Sequence, residues 1–136
     1  MAEVDEQSYV VIKLKHQFDL VKEDADGNYI PVDPVYLPDN AYIYRGMIGE
    51  IHFPTTVTIG SDCFKMCASL TTAYIPRVVT IKDGAFNGCE LLESLDTPML
   101  RTIGNNTFQG CIALKTIGTS NIQTIGYNAF QDCESI

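Results

Sequence analysis

Cys67, Cys89, Cys111 and Cys133 recur every 22 residues, and a fifth Cys stands at position 63. A thiol can ligate a metal, attack an electrophile, form a disulfide or fill a core as a small hydrophobe, and spacing discriminates among these. A zinc site needs converging ligands, usually presented as C-x-x-C pairs. Here the one close pair is Cys63 and Cys67, four apart, with no second pair to meet it. A nucleophilic Cys needs a basic partner within reach. The two histidines, His16 and His52, lie outside the Cys column. In a regular stack each column Cys has a Cys on either side and can bond only one, which disfavours a disulfide ladder. The expected role is structural: buried thiols sharing an apolar face.

The elements that position these thiols follow from the same period. TIGSDCFKMCASL, TIKDGAFNGCELL, TIGNNTFQGCIAL and TIGYNAFQDCESI align without insertion. Thr58, Thr80, Thr102 and Thr124 precede Ile59, Ile81, Ile103 and Ile125; Phe64, Phe86, Phe108 and Phe130 follow, then the Cys, then Leu70, Leu92, Leu114 and Ile136. A fixed short period of this kind is the signature of a solenoid. The linking segments are extended in character, and Pro54, Pro76 and Pro98 mark one corner, since Pro cannot donate to a ladder. Ser120 holds that place in the last copy. Phe and Cys at i, i+3 predict a short helical turn in each coil. The Gly of each Ile-Gly pair is expected to serve a corner that needs positive φ.

The motif I-G-x-x-A-F-x-x-C-x-x-L, followed by a strand and Pro, resembles the BspA-type leucine-rich repeat. Ala85 and Ala129 keep its Ala; Cys63 and Thr107 replace it, and Lys82 replaces one Gly. The resemblance implies a short right-handed α+β solenoid of about four coils over residues 48–136. It implies use as a recognition surface for proteins or cell surfaces.

Residues 1–47 do not repeat and predict an N-terminal β cap. YVVIKL from Tyr9 reads as a strand, KEDADGN from Lys22 as a turn, YIPVDPVY from Tyr29 as a return strand and Ala41–Tyr44 as a further short strand. A cap is what the exposed end of a solenoid requires. Asp24, Asp26 and Asn28 offer oxygen ligands, but a calcium loop needs a Glu at its twelfth position between helices, so a hairpin turn is expected. Asn105-Asn106-Thr107 is a formal glycosylation sequon, expected to be unused because Thr107 lies in an inward column. VVIKLKHQFD with the later RGMIGEIHF also resembles the N-terminal segments of phage tail-fibre proteins, which implies a structural virion component as an alternative role.

Net charge is −8, which repels phosphate backbones and excludes nucleic acid as the expected partner. No apolar run reaches the roughly 18 residues of a membrane helix. MAEVDEQSYV lacks a signal peptide's basic start and apolar core, which leaves a virion, or a cell surface reached through a removed export signal. There is no G-x-S-x-G, no phosphate-binding loop and no cofactor signature, so a non-enzyme is expected. In each strand segment the Leu and the third and fifth residues after it are expected to point inward, as Leu70, Ala73 and Ile75 illustrate, and the second and fourth outward. The outward columns are Glu50, Thr72, Ser94, Thr116 and His52, Tyr74, Asp96, Gly118; they form the candidate binding face. Ile125, Phe130 and Ile136, in the last coil, form a candidate assembly edge and predict a homo-oligomer or a place in a larger assembly.

Overall fold

A computed structural model describes residues 9–14, 17–23, 25–31, 35–118 and 120–136. Three strands come first: β1 (Tyr9–Leu14), β2 (Gln17–Glu23) and β3 (Tyr29–Pro31). They pair antiparallel in the order β1-β2-β3. The β-branched stretch at Tyr9 is thus the strand its composition predicts. His16 and Asp24 lie outside the described residues.

The rest is a β-solenoid of two parallel sheets. One contains β4 (Tyr36–Leu37), β6 (Thr58–Ile59), β8 (Thr80–Ile81), β10 (Thr102–Ile103) and β12 (Thr124–Ile125). The other contains β5 (Glu50–His52), β7 (Thr72–Tyr74), β9 (Ser94–Asp96) and β11 (Thr116–Ile117). Register is a pure translation by one period: Ile59 pairs with Ile81 and Ile81 with Ile103. The ladder starts before the first copy visible in the Cys column. Tyr36–Leu37 pairs with Thr58–Ile59, so residues assigned by sequence to the cap lie in the stack.

The three middle coils bury one residue from every column. Phe64, Phe86, Phe108, Leu70, Leu92, Leu114, Ile59 and Ile81 are fully buried. The Phe rings form one continuous pile with centroid spacings of 5.3, 5.5 and 5.4 Å and interplanar angles of 14, 6 and 13° from Phe64 to Phe130. Tyr42 extends it at 5.0 Å from Phe64. Translation by one coil sets this spacing, and near-parallel rings in offset stacks add to their burial energy. Ala41–Tyr44, expected as a strand, is instead the first turn of the pile.

No helix occurs among the described residues, which corrects the α+β expectation: the solenoid is all β and turn. The segment between the Ile and Leu columns is a run of tight turns. Gly84 and Gly88 have φ of +68 and +76°, and Asp62, Met66, Asn106 and Asn128 are also left-handed. Two left-handed residues per segment forbid a continuous right-handed helix. Their effect is to split the N–H groups. Ala85, Asn87 and Cys89 donate within the coil, to Lys82, Gly84 and Phe86 carbonyls, whereas Gly84, Phe86 and Gly88 donate to the next coil, at Asn105, Thr107 and Gln109. The strands donate the opposite way: Gly104 N–H reaches back to Ile81 O at 2.8 Å. Every inner coil is therefore bonded to both neighbours, and buried amides in the turns are satisfied without a helix.

The Gly of the Ile-Gly pairs works differently from the expectation. Gly60, Gly104 and Gly126 do not have positive φ. A Cβ on Gly60 would stand 2.6 Å from Asp39 N and Leu37 O, so the column is glycine-rich because the preceding coil's backbone approaches closely.

Candidate interaction surface

The Cys column lies inside the stack. All five thiols are free; Cys63, Cys67, Cys89 and Cys111 are buried and Cys133 is half-buried. Each column thiol donates to the Phe-column carbonyl of the preceding coil: Cys89 Sγ to Phe64 O at 3.1 Å, Cys111 Sγ to Phe86 O at 3.1 Å and Cys133 Sγ to Phe108 O at 3.0 Å. Cys67 makes the same contact with Tyr42 O at 3.2 Å. Burial raises the Cys67 thiol to about 11 and the Cys111 thiol to about 12, and also raises Cys63, Cys89 and Cys133. A thiol held neutral this far above its ordinary range is a poor nucleophile and a poor metal ligand. The column is structural, as its spacing predicts, but each thiol is also a donor, which the sequence pattern does not reveal.

The sequon is likewise absorbed by the fold. Thr107 is fully buried, and its hydroxyl donates to Gly104 O at 2.7 Å. Asn105 Oδ1 accepts the Tyr127 N–H at 3.0 Å.

The outward columns of β5, β7, β9 and β11 present the varied chemistry of the molecule. Ala73 and Ile75 are buried and Thr72 and Tyr74 exposed, as alternation requires, and Leu70, ahead of the strand, is buried too. Register places Glu50 beside Thr72, Thr72 beside Ser94 and Ser94 beside Thr116. The second row places His52 beside Tyr74 and Tyr74 beside Asp96. The His52 and Tyr74 rings meet at 5.5 Å, tilted by 46°. Glu50, His52, Thr72, Tyr74, Asp96 and Thr116 are exposed; Ser94 and Gly118 are half-buried. Lys115 Nζ stands 3.8 Å from Glu93 at the margin of this face. The other sheet repeats one residue outward, Thr58, Thr80, Thr102 and Thr124, after Tyr36.

In the last coil Ile125 is 54% exposed and Ile136 56%, whereas Ile103 and Leu114, one coil earlier, are 1% and 0%. Phe130 is half-buried against Phe108. No helix among the described residues is long and apolar enough to cross a membrane.

The solved structures similar to this chain are solenoids of the same kind. A leucine-rich repeat protein of T. pallidum superposes with a TM-score of 0.73 at 20% identity, over 98% of this chain and 69% of that one. A leucine-rich repeat protein from Bacteroides ovatus gives 0.55 at 18% identity, over 98% of this chain and 45% of that one. These likenesses establish the fold. No curated protein matches the sequence. The BspA type leucine rich repeat region matches residues 35–136 in six copies, well over half of the chain and starting where the ladder starts. With its 22-residue register, thiol column and Phe pile, the chain belongs to the BspA-type leucine-rich repeat family.

Proposed function

We propose that this protein is a non-catalytic recognition module that binds a protein or cell-surface partner through the outward face of β5, β7, β9 and β11. The supporting observation is the contrast between its two sheets. One outward column repeats Thr four times, which is what a merely solvated ladder needs. The other carries Glu50, His52, Thr72, Tyr74, Ser94, Asp96 and Thr116, unlike side chains fixed by a rigid register. Varied side chains on a stiff scaffold give specificity at little entropic cost. Ile125, Phe130 and Ile136, exposed or half-buried together in one coil, supply a second, apolar contact for assembly.

The test is selection of binders from a displayed protein library with the full chain, followed by face-specific variants. Tyr74→Ala with His52→Ala should weaken the selected binders at least tenfold. Thr80→Ser with Thr102→Ser, on the uniform sheet, should leave them within twofold. Equal loss in both, or loss in the second alone, would refute the strand face as the binding surface.

A further inference from the structure

We infer that the strand face takes a basic protein segment, with Tyr74 and Asp96 as the centre that receives an arginine or lysine side chain. This rests on the strand face being the recognition surface. Tyr74 and Asp96 are register partners on adjacent strands, so they stand roughly 4.8 Å apart along the ladder and project from the same face. Tyr74 is 44% exposed, and the His52 ring beside it at 5.5 Å holds it on the sheet. An aromatic face next to a carboxylate is what a guanidinium or ammonium group seeks, the ring through its quadrupole and the carboxylate through charge and hydrogen bonds.

The charge balance of the face points the same way. Its charged residues are Glu50, Glu93, Asp96 and Lys115, three acids and one base, for a formal balance of −2. Lys115 is engaged by Glu93. Glu50 and Asp96 have no cationic partner among the side chains of residues 35–136. Within residues 35–136 the other cations are elsewhere: Arg45 and Lys65 in the turns, Arg77 past the Pro76 corner, Lys82 and Arg101 next to the uniform sheet. The net charge of −8 would steer a basic partner in and repel an acidic one. Thr72 and Thr116 add exposed hydroxyls in the neighbouring row for the backbone or guanidinium of that segment.

The experiment is fluorescence anisotropy of the full chain with three labelled peptides of equal length, an Arg-Gly-Ser repeat, a Glu-Gly-Ser repeat and a Gly-Ser repeat, plus a neutral labelled oligosaccharide. The Arg peptide should bind best, and added salt should weaken it. Glu50→Gln with Asp96→Asn should cost about tenfold, and Tyr74→Ala about threefold at unchanged charge, the range of exposed ion pairs and cation–π contacts. Glu90→Gln with Glu134→Gln, the same charge change on the turn side, should stay within twofold. If that control costs as much as the face variant, net charge alone explains the binding and the proposal fails. If the Gly-Ser or Glu peptide, or the oligosaccharide, binds best and Tyr74→Ala abolishes it, the basic partner is wrong while the strand face survives. Should no probe bind, or should no face variant change binding, the basic-partner proposal is overturned; the library selection above then decides the strand face separately.

Discussion

The Cys111 thiol donates to the Phe86 carbonyl oxygen at 3.1 Å, across one coil boundary. That carbonyl also accepts the Cys89 N–H within its own coil at 3.1 Å. One acceptor therefore ties a turn to itself and to the next coil, and the motif recurs down the stack. The Phe-to-Cys spacing thereby becomes both a packing rule and a hydrogen-bonding rule.

Cys111→Ala removes one of the two donors to Phe86 O and leaves the other, so the carbonyl is not orphaned. We expect a cost of about 1–2 kcal/mol, the lost bond plus a small void. Urea unfolding monitored by circular dichroism measures it. Failure of this variant to fold would show that the thiol does more than donate and fill.

Phe108 stacks between Phe86 and Phe130 and is fully buried. Phe108→Ala should cost roughly 3–5 kcal/mol, the range for a buried aromatic. Phe130 is half-buried with one ring neighbour, so Phe130→Ala should cost well under half as much. Equal losses at the two positions would mean that the pile is not the core that holds the coils together.

Burial raises the Cys67 and Cys111 thiols to about 11 and 12, from an ordinary value of 9.0 that the unfolded chain keeps. The sign follows from linkage: the stabilisation is complete below pH 9 and is lost as pH climbs from there toward the folded values, because only the unfolded thiols ionise readily. A Cys67→Ala/Cys111→Ala double variant lacks this term. Its Tm should lie below the wild-type value at pH 7, and the gap should narrow by pH 10.5. A gap that widens with pH would contradict neutral buried thiols.

Gly88 has φ of +76°, and an added Cβ would run into the Met66 thioether of the preceding coil. Gly88→Val should cost at least about 2 kcal/mol, since a β-branched residue is strained at positive φ. Gly88→Asn should cost roughly half of that, because Asn tolerates the left-handed region. Thermal denaturation of both separates conformational strain from the steric clash, which they share.

The segment read as a helical turn shows where the sequence signal was ambiguous. Phe at i and Cys at i+3 suit one turn of helix and also suit consecutive tight turns, since both return a side chain to the same face after three residues. The discriminating column was present: Asn40, Asp62, Gly84, Asn106 and Asn128, each a residue type that accepts positive φ, recur at the same place. The second left-handed column, Tyr44, Met66, Gly88, Gly110 and Asp132, is too mixed to announce itself. The early start of the ladder was hidden for a similar reason. Tyr42 stands in the Phe column and Arg45 in the Cys column, so the first coil keeps the shape of the repeat without its letters.

The sequence by itself determined the period, the columns and hence the inward and outward faces. Translation by one coil maps each residue onto its equivalent, alternation along the strand sets Ala73 and Ile75 against Thr72 and Tyr74, and the apolar column sets Leu70 inward. It determined that the thiols are core residues, because a column inside a stack can be nothing else without converging partners. Only the tertiary structure decided how the backbone bonds between coils and why Gly60 and Gly104 are glycine. It also decided which carbonyl each thiol serves and how closely the His52 ring meets Tyr74. Those facts depend on distances between atoms 22 or 25 residues apart. A pattern of residue types fixes which positions are neighbours, but the φ angles of the turns set how near they come and where each N–H points.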